Sequence, residues 1–263
     1  MISSLKFRIR TFFKYYDLLV LLVQRDIKLK YRRSFLGYVW SILNPLLSML
    51  VMVIVFSHMF SRGIVNFPVY LICGNILFSF MRESSTLAMN SIVSNAALLK
   101  KIYVPKYIFT LSKVTSSFVN LLFSLGALLL VMIVTRLRFT FYDLLIVIPI
   151  AGLYVFCLGL GLFLAAANVF FRDINNIWSV VTLAWMYLTP IFYNLDSMSS
   201  LLRTWIPRIN PMYTYITQMR ILVLDAAFPP LSLIVQGAAT ALVMLLLGLF
   251  IFTRTKDNFI LHI

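Results

Sequence analysis

The sequence predicts an all-α integral membrane protein of six transmembrane helices, with an amphipathic helix at the amino terminus, a short amphipathic segment between two spans and two short helices that re-enter from the far side. Three observations carry this fold class. Of the 263 residues, 62% are hydrophobic and only 12% charged, and the mean hydropathy of +0.96 lies far above that of a soluble domain. The apolar residues gather into runs long enough to cross the roughly 30 Å hydrocarbon layer. The connecting segments are short and leave no room for a soluble catalytic domain.

In the amino-terminal region, 1–35, Leu5, Ile9, Phe12, Phe13 and Tyr16 share one helical face, while Lys6, Arg8, Arg10 and Lys14 lie off it. That pattern is an interfacial helix. It is not a secretory signal, because the run Leu18 to Val23 is short and no small-residue cleavage site follows. Gln24 to Arg33, QRDIKLKYRR, then places five basic residues and one acid just before the first long apolar run. Such a block resists translocation and keeps the amino terminus in the cytoplasm.

The first span covers about 36–60, and Pro45 within it predicts a kink. The second, about 67–90, contains Arg82 and Glu83. An ionisable pair is costly against lipid, so it should face other helices or a water-filled space, as a structural contact or a functional one. Asn95 to Lys106, NAALLKKIYVPK, comes next. Its Leu98, Leu99, Ile102 and Tyr103 recur at helical spacing, Lys100 and Lys101 fall off that face, and Pro105 stops the helix after about two turns. The segment reads either as a knob for a partner's socket or as a basic loop on lipid headgroups.

A third span follows at about 108–134 and a fourth at about 144–171. Gly152, Gly159, Gly161 and Ala165 to Ala167 in the fourth allow helix backbones to approach closely. The fifth, about 177–193, follows Arg172-Asp173 and ends at TPIFY. Asn194 to Pro230 is too polar to span and too apolar for a free loop, and it reads as two short helices, Leu201 to Ile206 and Tyr213 to Leu224, separated by prolines. The sixth span, about 231–252, closes the domain 36–253 and leaves 254–263 as a cytoplasmic tail. With six spans, sixteen basic residues fall on the side of the termini and six on the other, with Arg82 inside a span. That asymmetry puts both termini in the cytoplasm.

A net charge of +15 in a soluble chain would point to nucleic acid. Here it marks the cytoplasmic face and anionic lipid, and no nucleic-acid partner is expected. Cys73 and Cys157 sit in apolar runs, so no disulfide is expected. No G-x-x-x-x-G-K-[ST] occurs, His58 and His262 are isolated, and no carboxylates cluster. The chain therefore predicts no catalytic site, no metal and no cofactor of its own. Ion-coupled transport is disfavoured, since Glu83 is the one acid within a span. What remains is aromatic: 4 Trp, 13 Tyr and 23 Phe. Tyr38 and Trp40 open the first span, and Trp178, Trp185, Tyr187, Phe192 and Tyr193 lie along the fifth. These rings are either core filler or the wall of a substrate path on which sugar rings slide. Arg25, Lys28, Arg32 and Arg33 either set orientation or meet a phosphate headgroup as it enters.

RDIKLKYRRSFLGYVWSILNPLLSMLV at 25–51, NAALLKKIYVPK at 95–106, FFRDINNIW at 170–178, TPIFY at 189–193 and INPMYTYITQMR at 209–220 resemble, in order, the sequence blocks of type-2 ABC exporter permeases. The likeness is to the subfamily that exports O-antigen, capsular polysaccharide and teichoic acid. It implies a homodimer of six-helix subunits in the bacterial cytoplasmic membrane, bound to two separate ATPase subunits that hold ATP and magnesium, with a lipid-linked polysaccharide as passenger. It makes 95–106 the coupling helix, with Leu98 to Tyr103 and Pro105 at the ATPase, makes Ser3 to Tyr16 the interface helix, and lines the conduit with spans one and five. Two other readings of the residues stand beside it: an ABC exporter of a drug, lipid or peptide, and an energy-independent channel or scramblase.

Overall fold

The computed structural model describes residues 13–32, 36–60, 64–101, 104–195 and 198–262, and among them every regular element is helical. In chain order these are α1 (Tyr16–Tyr31), α2 (Trp40–Phe60), α3 (Phe67–Met89), the single turns α4 (Ser91–Ser94) and α5 (Ala96–Leu99), α6 (Tyr107–Val134), α7 (Val147–Phe170), α8 (Ile174–Leu188), α9 (Ser200–Ile209), α10 (Pro211–Val223), α11 (Leu231–Thr255) and α12 (Phe259–His262). The expected interfacial helix at Ser3 to Tyr16 lies almost wholly outside the described residues. Residues 24–31 of the basic block instead form the second half of α1, with Asp17 in its first turn and Lys28 and Lys30 in its last, as the helix dipole favours.

Among the described residues, four helical stretches are long and apolar enough to cross a membrane: Gly37–Ser57, Tyr107–Val134, Phe141–Phe170 and Leu231–His262. The other two expected spans are helices of a different kind. α3 has 23 residues, about 34 Å at 1.5 Å per residue, but it carries Asn75, Arg82 and Glu83. It can do so because it is packed among its neighbours, with fifteen of its residues buried. α8 has 15 residues, about 22 Å, which is shorter than the hydrocarbon layer. It stops at Leu188 because Pro190 pushes Thr189 into an extended conformation, φ −95° and ψ 129°. The expected fifth span is therefore a short helix followed by a corner.

The centre of the molecule is α7, and its small residues set how closely its neighbours approach. A Cβ on Gly159 would lie 2.4 Å from the Leu245 backbone nitrogen of α11, and one on Gly248 would lie 2.1 Å from the Gly159 carbonyl oxygen. Glycine at both positions lets the two backbones touch. Gly152 faces the Tyr215 ring of α10 and Gly161 faces the Ala88 methyl of α3 in the same manner, at 2.9 and 2.7 Å from a built Cβ.

Pro45 lies inside α2 and cannot donate to the Ser41 carbonyl one turn earlier. Ser124 of α6 supplies the missing donor, its Oγ lying 3.2 Å from that oxygen. The short helices also differ from expectation. α9 continues past Pro207 to Ile209. α10 packs inward, with nine of its thirteen residues buried, while Asn210 caps its N-terminus by accepting from the Met212 N–H at 3.0 Å ahead of Pro211.

Candidate functional site

In the segment 95–106, expected as a coupling helix of about two turns, the described helix is shorter than the spacing predicts. α4 and α5 are single turns joined at Asn95, and Ile102 and Tyr103 lie outside the described residues. Leu99 turns inward, 7% exposed, into a core with Leu19 and Leu22 of α1, Ile108 and Phe109 of α6 and Val169 of α7; Leu98 packs at its edge. The apolar face read as a knob is thus at least partly the segment's own anchor. Among the described residues of 95–106, Ala97, Lys100 and Lys101 are exposed, and Pro105 is half-buried.

Three polar links tie this segment to the rest of the chain. Asn168 of α7 donates to the Met89 carbonyl at 3.1 Å and to Asn90 Oδ1 at 3.3 Å, and Asn175 of α8 donates to Asn168 Oδ1 at 2.7 Å. Ser91 and Thr110 share a hydrogen bond at 2.9 Å. Lys106 donates to the Lys256 carbonyl and lies 5.5 Å from the Phe259 ring centroid. Partial burial lowers the pKa of the Lys106 ammonium, against the pull of nearby Asp257. The expected tail is therefore folded back, with Phe259 fully buried against Phe252 and Phe170.

α1 is held by charge as well as by Leu19 and Leu22. Lys113 of α6 pairs with Asp26 at 2.8 Å, both largely buried, and Lys30 pairs with Glu83 of α3 at 2.7 Å, both half-exposed. Glu83 also accepts from Asn120 of α6 at 2.9 Å. The Arg82–Glu83 pair thus separates: Glu83 is a junction of three helices, and Arg82 is exposed. Of the four cations expected at headgroup level, Arg25 is bound to Asp26 at 3.0 Å, Lys28 and Arg32 are exposed, and Arg33 lies outside the described residues.

The aromatic candidates divide. Trp178, Phe192 and Tyr193 are buried in the chain's own core; Trp178 Nε1 donates to Ser85 Oγ at 3.1 Å, and Tyr193 donates to the Tyr187 carbonyl at 3.0 Å. Trp185 is half-buried and donates to Asn210 Oδ1 at 2.8 Å. Tyr38 and Tyr187 are exposed, and Trp40 lines a polar cavity of about 440 Å³ between α1, α2, α3 and α6.

Sequence reasoning counted Arg220 as one external charge and missed its role. In the structure it is buried within α10 and donates to the carbonyls of Pro190 at 2.8 Å, Ile191 at 3.1 Å and Tyr70 at 3.1 Å, with its guanidinium 3.3 Å from the Tyr70 ring centroid. Tyr70 in turn donates to the Tyr193 carbonyl at 2.8 Å. One planar fork thus holds the TPIFY corner, whose carbonyls have no helix to satisfy them. The signal available in the sequence was a lone arginine in an apolar run beside a proline-broken segment.

Residues 17–224 match the ABC-2 type transporter family. The chain is 30% identical over 252 residues to the O-antigen export system permease protein RfbA of Myxococcus xanthus, covering 95% of this chain and 97% of that protein. It is 28% identical over 247 residues to an O-antigen export system permease protein RfbA of Klebsiella pneumoniae, covering 93% and 94%. It is 26% identical over 191 residues to the capsule polysaccharide export inner-membrane protein CtrC of Neisseria meningitidis, covering 70% and 71%.

Proposed function

The chain belongs to the ABC-2 type transporter family, and from that membership we propose that it is the membrane permease subunit of an ATP-driven exporter that carries a lipid-linked polysaccharide out across the bacterial cytoplasmic membrane. The observation that carries the reading is end-to-end likeness to proteins named as O-antigen export permeases. Two copies of the chain pair in the membrane and engage two copies of a separate ATPase subunit, which binds the nucleotide and magnesium. The chain crosses six times, α3 being shielded from lipid by its own neighbours and α8 completing its crossing with the corner that follows it. Both termini are cytoplasmic, as the basic asymmetry requires.

In this reading the exposed Ala97, Lys100 and Lys101 meet the ATPase, and the inward Leu99 makes the segment rigid. Closure of the ATPase on ATP then moves α4 and α5 as a unit. The Asn90–Asn168–Asn175 ladder passes that motion to α7 and α8, and the Ser91–Thr110 bond passes it to α6. Tyr38 and Tyr187, exposed on α2's approach and on α8, and Trp40 at the polar cavity are the candidate rings able to meet a passenger.

Deletion of the chain from a host that makes a surface polysaccharide tests the proposal. Polymer should accumulate inside the cell and return to the surface on complementation. Unchanged surface polymer in the deletion strain would overturn it.

A further inference from the structure

We infer that the polar cavity between α1, α2, α3 and α6 is a binding site for a glycan segment that carries an acidic group, a carboxylate or a phosphate. The inference rests on the export reading only for the passenger being a glycan. The cavity, about 440 Å³, has the size of a small-ligand site, which runs from about 300 to 1,000 Å³. Its walls are unusual for helices in an apolar chain: Asn44 and Ser48 from α2, Asn75 and Ser79 from α3, and Asn120 and Ser124 from α6 converge on it.

Several of these groups have nothing to bond. Asn44, Ser48 and Arg82 make no side-chain hydrogen bond or ion pair among the described residues, and the Asn75 amide N–H groups likewise have no acceptor. Asn75 and Ser79 meet each other only at 3.5 Å. Polar groups left unpaired in a membrane helix are costly, so this wall faces water or a polar occupant rather than lipid tails. Amides and hydroxyls, which both donate and accept, match the hydroxyl groups of a sugar, and Trp40 at the rim offers an aromatic face.

Charge narrows the ligand. Glu83 Oε1 takes both Lys30 and Asn120 and its charge is balanced by Lys30, so among the described residues the cavity holds no unbalanced negative charge to attract a cation. With Lys30 neutralised, Arg82 is the uncompensated charge at its wall, and a guanidinium binds a carboxylate or phosphate in bidentate fashion. Because Lys30 of α1 closes on Glu83, the site also lies under a contact that movement of α1 would open.

The test uses the purified full chain with Ser48→Cys as reporter, since the native Cys73 and Cys157 are both buried and react slowly. A charged, water-soluble thiosulfonate should label Cys at this position, and a hyaluronan tetrasaccharide or glucose 1-phosphate should slow that labelling at lower concentration than maltose does. Protection by the first identifies a carboxylate sugar as the better ligand, and by the second a glycosyl phosphate. Arg82→Gln, checked for an unchanged gel-filtration profile, should weaken acidic protection about tenfold or more and leave maltose unchanged. The inference is overturned if the thiol is unreactive to the charged reagent, if no glycan protects it, if inorganic phosphate protects as well as glucose 1-phosphate, or if Arg82→Gln keeps the acidic preference. A chain that supports export yet fails here loses this site alone; one that binds glycan yet whose deletion leaves surface polymer unchanged loses the export reading alone.

Discussion

Gly248→Ala adds one methyl group where a built Cβ makes the shortest of the contacts found at the glycines described. The new Cβ would sit 2.1 Å from the Gly159 carbonyl oxygen, 2.8 Å from its carbon and 3.0 Å from its Cα. All three are backbone atoms, so no side chain can swing away, and α11 must move off α7 by about 1 Å to reach ordinary contact. A gap of that size forfeits up to half of the dispersion well for each atom pair across the seam. For the ~40 pairs typical of one buried leucine, this amounts to roughly 2–4 kcal/mol. That exceeds the gain of about 1 kcal/mol that alanine brings to a helix. Gly126→Ala is the matched control, because its Cβ would meet the Ile42 side chain, Cδ1 at 3.4 Å and Cγ1 at 3.7 Å, both ordinary contacts. The assay is the midpoint of heat-induced loss of the monodisperse gel-filtration peak in mild detergent. With the net loss about 1–3 kcal/mol, Gly248→Ala should lower it by roughly 2–12 °C, and Gly126→Ala should leave it unchanged or raise it. Equal midpoints for the two variants would show that α7 and α11 do not meet through glycine.

Arg220→Lys should lower the same midpoint, because a single ammonium cannot span the three carbonyls that the guanidinium fork reaches, and the cost is about 2–3 kcal/mol. Asp26→Ala, which strands the largely buried Lys113, should cost about 3 kcal/mol, whereas Lys30→Ala should cost under ~1 kcal/mol because its pair is half-exposed; thermal midpoints of the two variants side by side measure the contrast. Trp178→Ala should destabilise by about 3–5 kcal/mol as a buried ring lost from the core. Tyr187→Ala, at a ring 61% exposed, should leave stability within about 0.5 kcal/mol while reducing polymer export, read as surface polysaccharide per folded permease.

Much of the architecture was legible because bilayer physics leaves few options. Helical runs, the close-packed glycines of α7 and the proline in α2 all follow from length, side-chain size and a missing N–H. Residues whose function is set by a distant partner were not legible. Leu99 has the spacing of an exposed face, and only the arrival of Leu19 and Leu22 from α1 turns it inward. Trp178, Phe192 and Tyr193 look alike in sequence to Tyr187, yet α3 receives Trp178 at Ser85, the corner pinned by Arg220 and Tyr70 buries Phe192 and Tyr193, and Tyr187 stays exposed. Asn44, Asn75 and Asn120 are scattered over three helices, and no periodicity within any one of them announces a common cavity.

The central claim is that this chain moves polysaccharide only when a partner hydrolyses ATP. It is tested most directly in proteoliposomes that hold the purified permease, with or without its ATPase, by measuring transfer of a lipid-linked polysaccharide from the outer medium to the lumen. The account predicts transfer that requires both proteins and ATP together. Transfer by the permease alone at the same rate would contradict it.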